Sequence, residues 1–187
     1  MRREVPPKKF EAGGVATVST AHAVHDTYTA FLPAILPILI QQFSLTNTLG
    51  GLLSVFLQAP SILQPFIGHL ADRKNLKVLV ILAPAITGIM MSLLNVAPFY
   101  GLVATLLLVA GISSATLHAI APVMGSHFSG DKLGKGMSYW MVGGELGRAL
   151  GPIIIVTALK FLTPVQIPLL AIGGTLTSVF LYRRLSN

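Results

Sequence analysis

The stretch GHLADRKNLKVL at residues 68–79 places four charged side chains between two long apolar runs. The run at 48–71 and the run at 78–96 are each long enough to cross roughly 30 Å of hydrocarbon as a helix. Because charged side chains are costly inside a bilayer, we expect this stretch to form a polar loop at the membrane surface. The pattern predicts a membrane protein whose helices are joined by short charged connections.

The composition of the whole chain supports this interpretation. Of its 187 residues, 53% are hydrophobic and only 10% are charged, and the mean hydropathy is +0.76. Soluble domains carry about 25% charged residues, so these values indicate a membrane protein. The net charge of +7 arises outside the apolar runs and forms no aromatic-interleaved basic face. Nucleic acid is therefore not an expected partner.

Two further classes are disfavoured by what the sequence lacks. There are no cysteines, which excludes disulfides and thiolate metal sites. No nucleotide-binding glycine loop, nucleophile elbow or metalloprotease helix is present, so we expect neither enzyme activity nor a cofactor.

The apolar runs divide the chain into six predicted transmembrane spans. We number them one to six in chain order and expect residues 1–15 to be a cytoplasmic N-terminal segment and residues 16–187 to form one helical bundle. The predicted spans lie near 16–42, 48–71, 78–96, 99–126, 137–161 and 164–182.

The distribution of basic residues predicts the orientation of the spans. Eleven of the thirteen Lys and Arg residues fall on the side of the N-terminus: Arg2, Arg3, Lys8, Lys9, Arg73, Lys74, Lys77, Lys132, Lys135, Arg183 and Arg184. Cytoplasmic loops of membrane proteins carry an excess of Lys and Arg. We therefore expect a multi-pass protein of the cell's inner membrane with both termini in the cytoplasm.

Ionisable residues are unevenly distributed among the six spans. Spans three and six contain no ionisable side chain except Tyr182 at the end of span six, and we expect both to face lipid. A charge at the bilayer centre costs about 2.5–3.5 kcal/mol on insertion scales, so the polar side chains of the other spans are expected to line a common cavity. These side chains are His22, His25 and Asp26 in span one, Gln58 and Gln64 in span two, His118 in span four, and Glu145 and Arg148 in span five.

Two pairs in these spans suggest proton chemistry. His22 and Asp26 are four residues apart on one helical face, which suits a proton relay, although packing or hydrogen bonding alone would also explain them. Glu145 and Arg148 are three apart and could form a simple ion pair. Alternatively, Glu145 accepts a proton and Arg148 attracts an anionic solute.

The remaining polar residues of the spans are predicted to contact the solute. His25, His118, Gln58 and Gln64 are the candidates, while the two glutamines could equally hydrogen-bond between helices. His22, Asp26 and His118 could together hold a metal, but no compact ligand motif is present, so we predict no metal site.

Several motifs resemble one transporter family. GHLADRKNLKVL at 68–79 resembles the loop signature of the major facilitator superfamily, with a glycine, an aspartate and a following basic residue at this spacing. GRALGP at 147–152 resembles the Gly-x-x-x-Gly-Pro signature on the fifth helix of its antiporters. The H-x-x-x-D at 22–26, ILQPFIGHLADR at 62–73 and GISSATLH at 111–118 are similar to the fosmidomycin-resistance-like branch of bacterial exporters.

The resemblance implies a fold and a function. The fold is all-α, with six transmembrane helices in two inverted three-helix repeats, as in the N-terminal half of such a transporter. The implied function is proton-coupled export of a small organic solute or drug. A second copy of the chain, or a separate C-terminal half, would complete the cavity. The alternative is a non-transporting membrane assembly partner or a relic of a transporter half.

The resemblance also assigns gating roles to two groups of residues. Gly68, Asp72 and Arg73 belong to the loop signature, and Gly147, Gly151 and Pro152 belong to the signature in span five. Close packing between helices is a compatible explanation for Gly147 and Gly151, and a solvated loop cap is the alternative for Asp72 and Arg73.

Overall fold

The chain folds into a bundle of helices. The computed structural model describes residues 8–186, so Arg2, Arg3 and the rest of residues 1–7 of the predicted N-terminal segment lie outside the described residues. Every regular element within 8–186 is a helix, and six helical stretches are long and apolar enough to cross a membrane. The predicted all-α, six-span class is confirmed.

Four of the six spans are built from more than one helical piece. Span one is α1 (Ala12–Thr29) and α2 (Phe31–Gln42), and span two is α3 (Asn47–Gln58), a 3-10 turn (Ala59–Leu63) and α4 (Gln64–Ala71). Span three is α5 (Lys77–Leu93) with a 3-10 turn (Leu94–Val96), and span six is a 3-10 segment (Pro164–Leu170) with α8 (Ala171–Leu185). Spans four and five are the single helices α6 (Tyr100–Ser129) and α7 (Leu133–Phe161).

Four helices extend beyond the predicted apolar runs at the same end of the bundle. Span one begins at residue 12 instead of 16, and span five begins at 133 instead of 137. Span four ends at 129 instead of 126, and span six ends at 185 instead of 182. All four ends lie on the side that carries the basic residues. A helix requires backbone hydrogen bonds and not apolar side chains, so it continues past the edge of the hydrocarbon.

Prolines account for the breaks in spans one and two. Pro33 has no N–H to donate to the carbonyl of Thr29, and the helix is interrupted at Ala30. In span two, Pro60 is the second residue of the 3-10 turn Ala59–Leu63. Both breaks lie beside the pocket described below, which Ala30 and Ser61 line.

The packing partners repeat when spans one to three are exchanged with spans four to six. Span one packs along span five, and span four packs along span two. Spans three and six pack on each other, as do spans one and four. Exchanging span one with four, two with five and three with six turns each of these pairings into itself or into another of them. Corresponding spans are three apart in the chain, an odd number, so they cross the membrane in opposite directions. This is the inverted repeat expected from the resemblance.

Spans one and five approach closely through small residues. Gly143, Gly147 and Gly151 recur at every fourth position and face the backbone of three residues that are also one turn apart, Ser19, Ala23 and Thr27. A Cβ atom on any of the three glycines would lie less than 3.0 Å from a carbonyl oxygen of span one. The glycines therefore permit the close helix contact, as small residues do in membrane bundles.

Span three is more buried than the sequence predicts. Eight residues of its helix α5 are buried, where the span packs against spans one, four and six. Span six does expose large apolar side chains, such as Ile172 and Leu176. The expectation that both spans face lipid is therefore wrong for about half of span three. A helix without ionisable side chains is equally suited to an apolar protein core and to lipid.

Candidate functional site

Spans one, two, four and five surround an open pocket of about 610 Å³. None of the described residues that line it comes from span three or span six. Its polar lining consists of Asp26, Thr29, Ser54, Gln58, Ser61, Gln64, Ser114, His118 and Arg148. The pocket is thus bounded by the four spans for which the sequence predicts polar cavity walls.

Asp26 is the centre of a cluster of ionisable groups on the wall of this pocket. The residue is only 2% exposed. Its Oδ2 accepts a hydrogen bond from Nη1 of Arg148 at 3.1 Å and lies 3.2 Å from Nε2 of His22. Its Oδ1 lies 3.6 Å from Nε2 of His118. Spans one, four and five therefore each contribute to one cluster.

The backbone fixes the orientation of both imidazoles in the cluster. Nδ1 of His22 lies 2.9 Å from the carbonyl oxygen of Trp140, and Nδ1 of His118 lies 2.9 Å from that of Ser114. A carbonyl oxygen can only accept, so each Nδ1 carries a hydrogen and donates it. The two Nε2 atoms face each other at 3.2 Å.

Two neighbours on span five hold the ring of His22 in place. The imidazole stacks on the indole of Trp140, with ring centroids 3.8 Å apart and an interplanar angle of 15°. On Gly144, an added Cβ would collide with the imidazole. Span five therefore provides both a platform and the space for this ring.

Glu145 and Arg148 form the ion pair expected from their spacing. Arg148 donates from Nε to Oε2 of Glu145 at 3.3 Å, and Nη2 also contacts the carboxylate. The Arg148 side chain is 48% exposed and lines the pocket, whereas the Glu145 side chain is 63% exposed and is not part of the lining. With carboxylates on two sides, the charge of Arg148 is compensated. Attraction of an anionic solute by Arg148, and proton uptake by Glu145, stay predictions.

His25 is separate from the pocket. The residue is fully buried, and neither ring nitrogen has a hydrogen-bond partner among residues 8–186. Its ring lies edge-on to that of His118, with centroids 5.7 Å apart. In this conformation His25 has no access to the pocket, so the geometry gives no support to the predicted contact with solute.

The lining of the pocket includes residues that the sequence analysis predicted and others that it missed. Gln58 and Gln64 both line the pocket, where a solute could contact their amides. Ser54, Ser61 and Ser114 were missed. The spacing of Ser114, four residues before His118, was a usable signal. The carbonyl of Trp140 left no signal, except that this residue is the single tryptophan of the chain.

The predicted gating residues lie in two places. Asp72 and Arg73 are exposed at the end of α4, where the amide of Asp72 donates to the carbonyl of Gly68 at 3.0 Å. Neither forms an ion pair with another residue in the described part of the chain. Pro152 lines the pocket. The gating roles stay predictions.

The geometry of the cluster is compatible with binding either a proton or a metal ion. Ligand atoms of His22, Asp26 and His118 all lie within 4.8 Å of one another, a spacing that could hold a metal. However, the Arg148 guanidinium shares the carboxylate of Asp26, and its positive charge opposes a divalent cation there. The arrangement is better suited to taking up and releasing a proton beside the pocket.

Comparison with known proteins gives one family and two curated relatives. The sequence profile of the Major Facilitator Superfamily matches residues 18–186. The Fosmidomycin resistance protein of Escherichia coli (strain K12) is 29% identical over 143 residues, which cover 76% of this chain and 35% of the relative. YfnC of Bacillus subtilis (strain 168), an uncharacterized MFS-type transporter, is 29% identical over 140 residues, covering 73% and 34%.

These matches cover most of the chain but a smaller part of each relative. The chain spans about a third of the length of the curated relatives it matches. No solved structure matches the chain.

Proposed function

The chain belongs to the major facilitator superfamily of membrane transporters, and from this premise we propose that it takes part in proton-coupled export of a small organic solute. The observation that carries the proposal is the Asp26 cluster on the wall of a pocket of about 610 Å³. A volume of this size suits a small organic molecule. The relatives are named as a resistance protein and a transporter, which favours transport over enzyme activity.

The cluster supplies a physical route to coupling. When it holds a proton, the charges of the two carboxylates are balanced. When the proton leaves, Asp26 and Glu145 outnumber Arg148, and the pocket gains a net negative charge. A solute that binds these two states with different affinity is coupled to the proton by that difference in binding free energy.

A second six-helix bundle is part of the proposal. The pocket is open, and the half-exposed Arg148 and exposed Glu145 would face lipid if nothing covered span five. Spans two and five also expose large apolar side chains, including Ile62, Phe66 and Ile153. A second copy related by a two-fold axis along the membrane normal would cover these groups. A different C-terminal half is the alternative.

The proposed location is the inner membrane, with both termini of the chain in the cytoplasm. Lys8, Lys9, Arg73, Lys132 and Arg184 support this orientation, because each is close to the same end of the bundle in sequence.

The test is proton flux in proteoliposomes that contain a pH-sensitive dye. The name of the Escherichia coli relative makes fosmidomycin the first candidate solute. We expect a fosmidomycin gradient to drive proton movement with the wild-type chain and Asp26→Asn to abolish it. Asp131→Asn makes the same chemical change at an exposed loop position and should retain flux.

Two results would contradict the proposal. Flux in Asp26→Asn equal to wild type would remove the coupling role of the cluster. If neither fosmidomycin nor a panel of cationic, neutral and anionic drugs drives flux, a non-transporting assembly partner becomes the better explanation.

A further inference from the structure

The two imidazoles of the cluster pose a problem of hydrogen-bond balance. Both Nδ1 atoms donate to backbone carbonyls, of Trp140 and Ser114 respectively. A neutral imidazole carries only one N–H, so in the neutral form both Nε2 atoms would be bare acceptors. These atoms lie 3.2 Å apart and also face the oxygens of Asp26. Without a further proton, the two Nε2 atoms and the two carboxylate oxygens of Asp26 would all be hydrogen-bond acceptors. Among the described residues, Arg148 would be the only donor to this group.

The charge balance of the cluster indicates how many protons are needed. Among the described residues, Asp26 and His25 of span one lie against the two imidazoles, Arg148 of span five binds Asp26, and Glu145 pairs with Arg148. Two carboxylates and one guanidinium leave one net negative charge. One additional proton makes the group neutral, which is favourable where charge is costly.

The other packed elements do not change this balance. Spans three and six both pack on span one. Their ionisable residues, Lys77 in span three and Tyr182, Arg183 and Arg184 in span six, all stand at helix ends. Span two contributes only uncharged amides and hydroxyls to the pocket, and its histidine, His69, is close to its end.

We propose that His22 and His118 share one proton between their Nε2 atoms, with Asp26 as the counter-ion. The proton comes from water in the pocket and returns to it, and no other bond is made or broken. This proposal rests on the proposed transport function and deepens it. It places the transported proton on an imidazole pair, and it makes His118 a proton-binding residue instead of a contact for the solute.

The direct test is nitrogen NMR of the full chain in nanodiscs at pH 7, with 15N-labelled histidine and a chelator present. Bare and protonated imidazole nitrogens have well-separated chemical shifts. We expect protonated Nδ1 on both His22 and His118 and one proton shared by the two Nε2 atoms. His118→Gln should shift the signals of His22, whereas the exposed control His69→Gln should remove only its own signals.

Trp140 provides a second readout in unlabelled protein. It is the only tryptophan and stacks on His22, and a protonated imidazole quenches indole emission more strongly than a neutral one. Raising the pH should therefore increase the fluorescence in one step as the pair loses its proton. His22→Gln should lose the step, and His69→Gln should keep it.

Three results would overturn the proposal. They are bare Nε2 atoms on both histidines, a bare Nδ1 on either one, or His22 signals that do not change in His118→Gln. The first would show that the imidazole pair carries no additional proton, as when the Asp26 carboxyl holds it. Neither the NMR nor the fluorescence readout requires a solute. A shared proton without proton flux would therefore count only against the transport function. Proton flux without a shared proton would count only against the imidazole pair.

Discussion

Asp26 depends on its neighbours more than any other residue of the site. A carboxylate that is 2% exposed retains its charge only if cations and hydrogen-bond donors replace the water it has lost. Arg148 and the imidazole pair provide these groups. Removing one partner of such a buried pair leaves an uncompensated charge, which costs more than removing both partners.

This dependence predicts a non-additive effect on stability. We expect Arg148→Gln to destabilise the protein by about 1–3 kcal/mol, less than for a fully buried pair because Arg148 is half-exposed. Adding Asp26→Asn should restore much of the loss, since no unpaired carboxylate is left. Thermal unfolding of the single and double variants in one detergent measures both effects.

Arg73→Gln is the matched control for that comparison. Arg73 is an exposed arginine without an ion pair in the described part of the chain, so its replacement should change stability little. A double variant no more stable than Arg148→Gln alone would contradict a compensated Asp26.

Sequence spacing reveals local contacts between residues but not long-range ones. The i, i+4 pair of His22 and Asp26 and the i, i+3 pair of Glu145 and Arg148 follow from helical geometry alone. The bond from Arg148 to Asp26 joins residues 122 positions apart, and it exists only because spans one and five pack together. Backbone acceptors such as the Trp140 carbonyl are independent of side-chain identity and leave no pattern.

At the scale of elements, the contact between spans one and five positions the site. The glycines at 143, 147 and 151 allow the two backbones to approach, and this approach brings Arg148 and Trp140 to the residues of span one. Membrane helices associate largely through packing, because lipid offers no hydrophobic drive for their contact. A side chain added to this interface must therefore separate the helices or strain them.

We accordingly predict that Gly147→Val is destabilising by about 1–3 kcal/mol, as overpacking of a core usually is. It should also reduce the proton flux, since Arg148 would move away from Asp26. Gly134→Val is the control on the same helix, because an added Cβ there meets nothing within 4 Å. Equal unfolding temperatures for the two variants would show that the glycines are not needed for packing.

The sequence predicts well which segments form membrane-spanning helices, but poorly whether a helix faces lipid or the interior of the bundle. Six apolar runs and the five short connections between them suffice to place six spans. Span three shows the limit, because its lack of ionisable residues fits both lipid and the interior of the bundle, and the structure buries half of it. Hydropathy measures the free energy of transferring a side chain out of water, and this free energy is similar for transfer into lipid and into an apolar protein core.

At the scale of the whole molecule, the four polar spans form a wall and the other two lie behind it. Spans three and six support spans one and four from outside the pocket. This division explains why ionisable residues can be retained in a chain with a mean hydropathy of +0.76. They are stable only if water, and not lipid, occupies the pocket.

Accessibility of single cysteines to water tests this central claim most directly. The chain contains no cysteine, so each introduced thiol is the only one. Ser54→Cys and Ser61→Cys place it in the pocket, and Ile172→Cys places it on the exposed apolar face of span six. After unfolding in detergent, all three should react equally with a charged maleimide. In membranes, we predict rapid labelling at positions 54 and 61 and little at 172. Labelling at 54 and 61 as slow as at 172 would contradict a hydrated pocket.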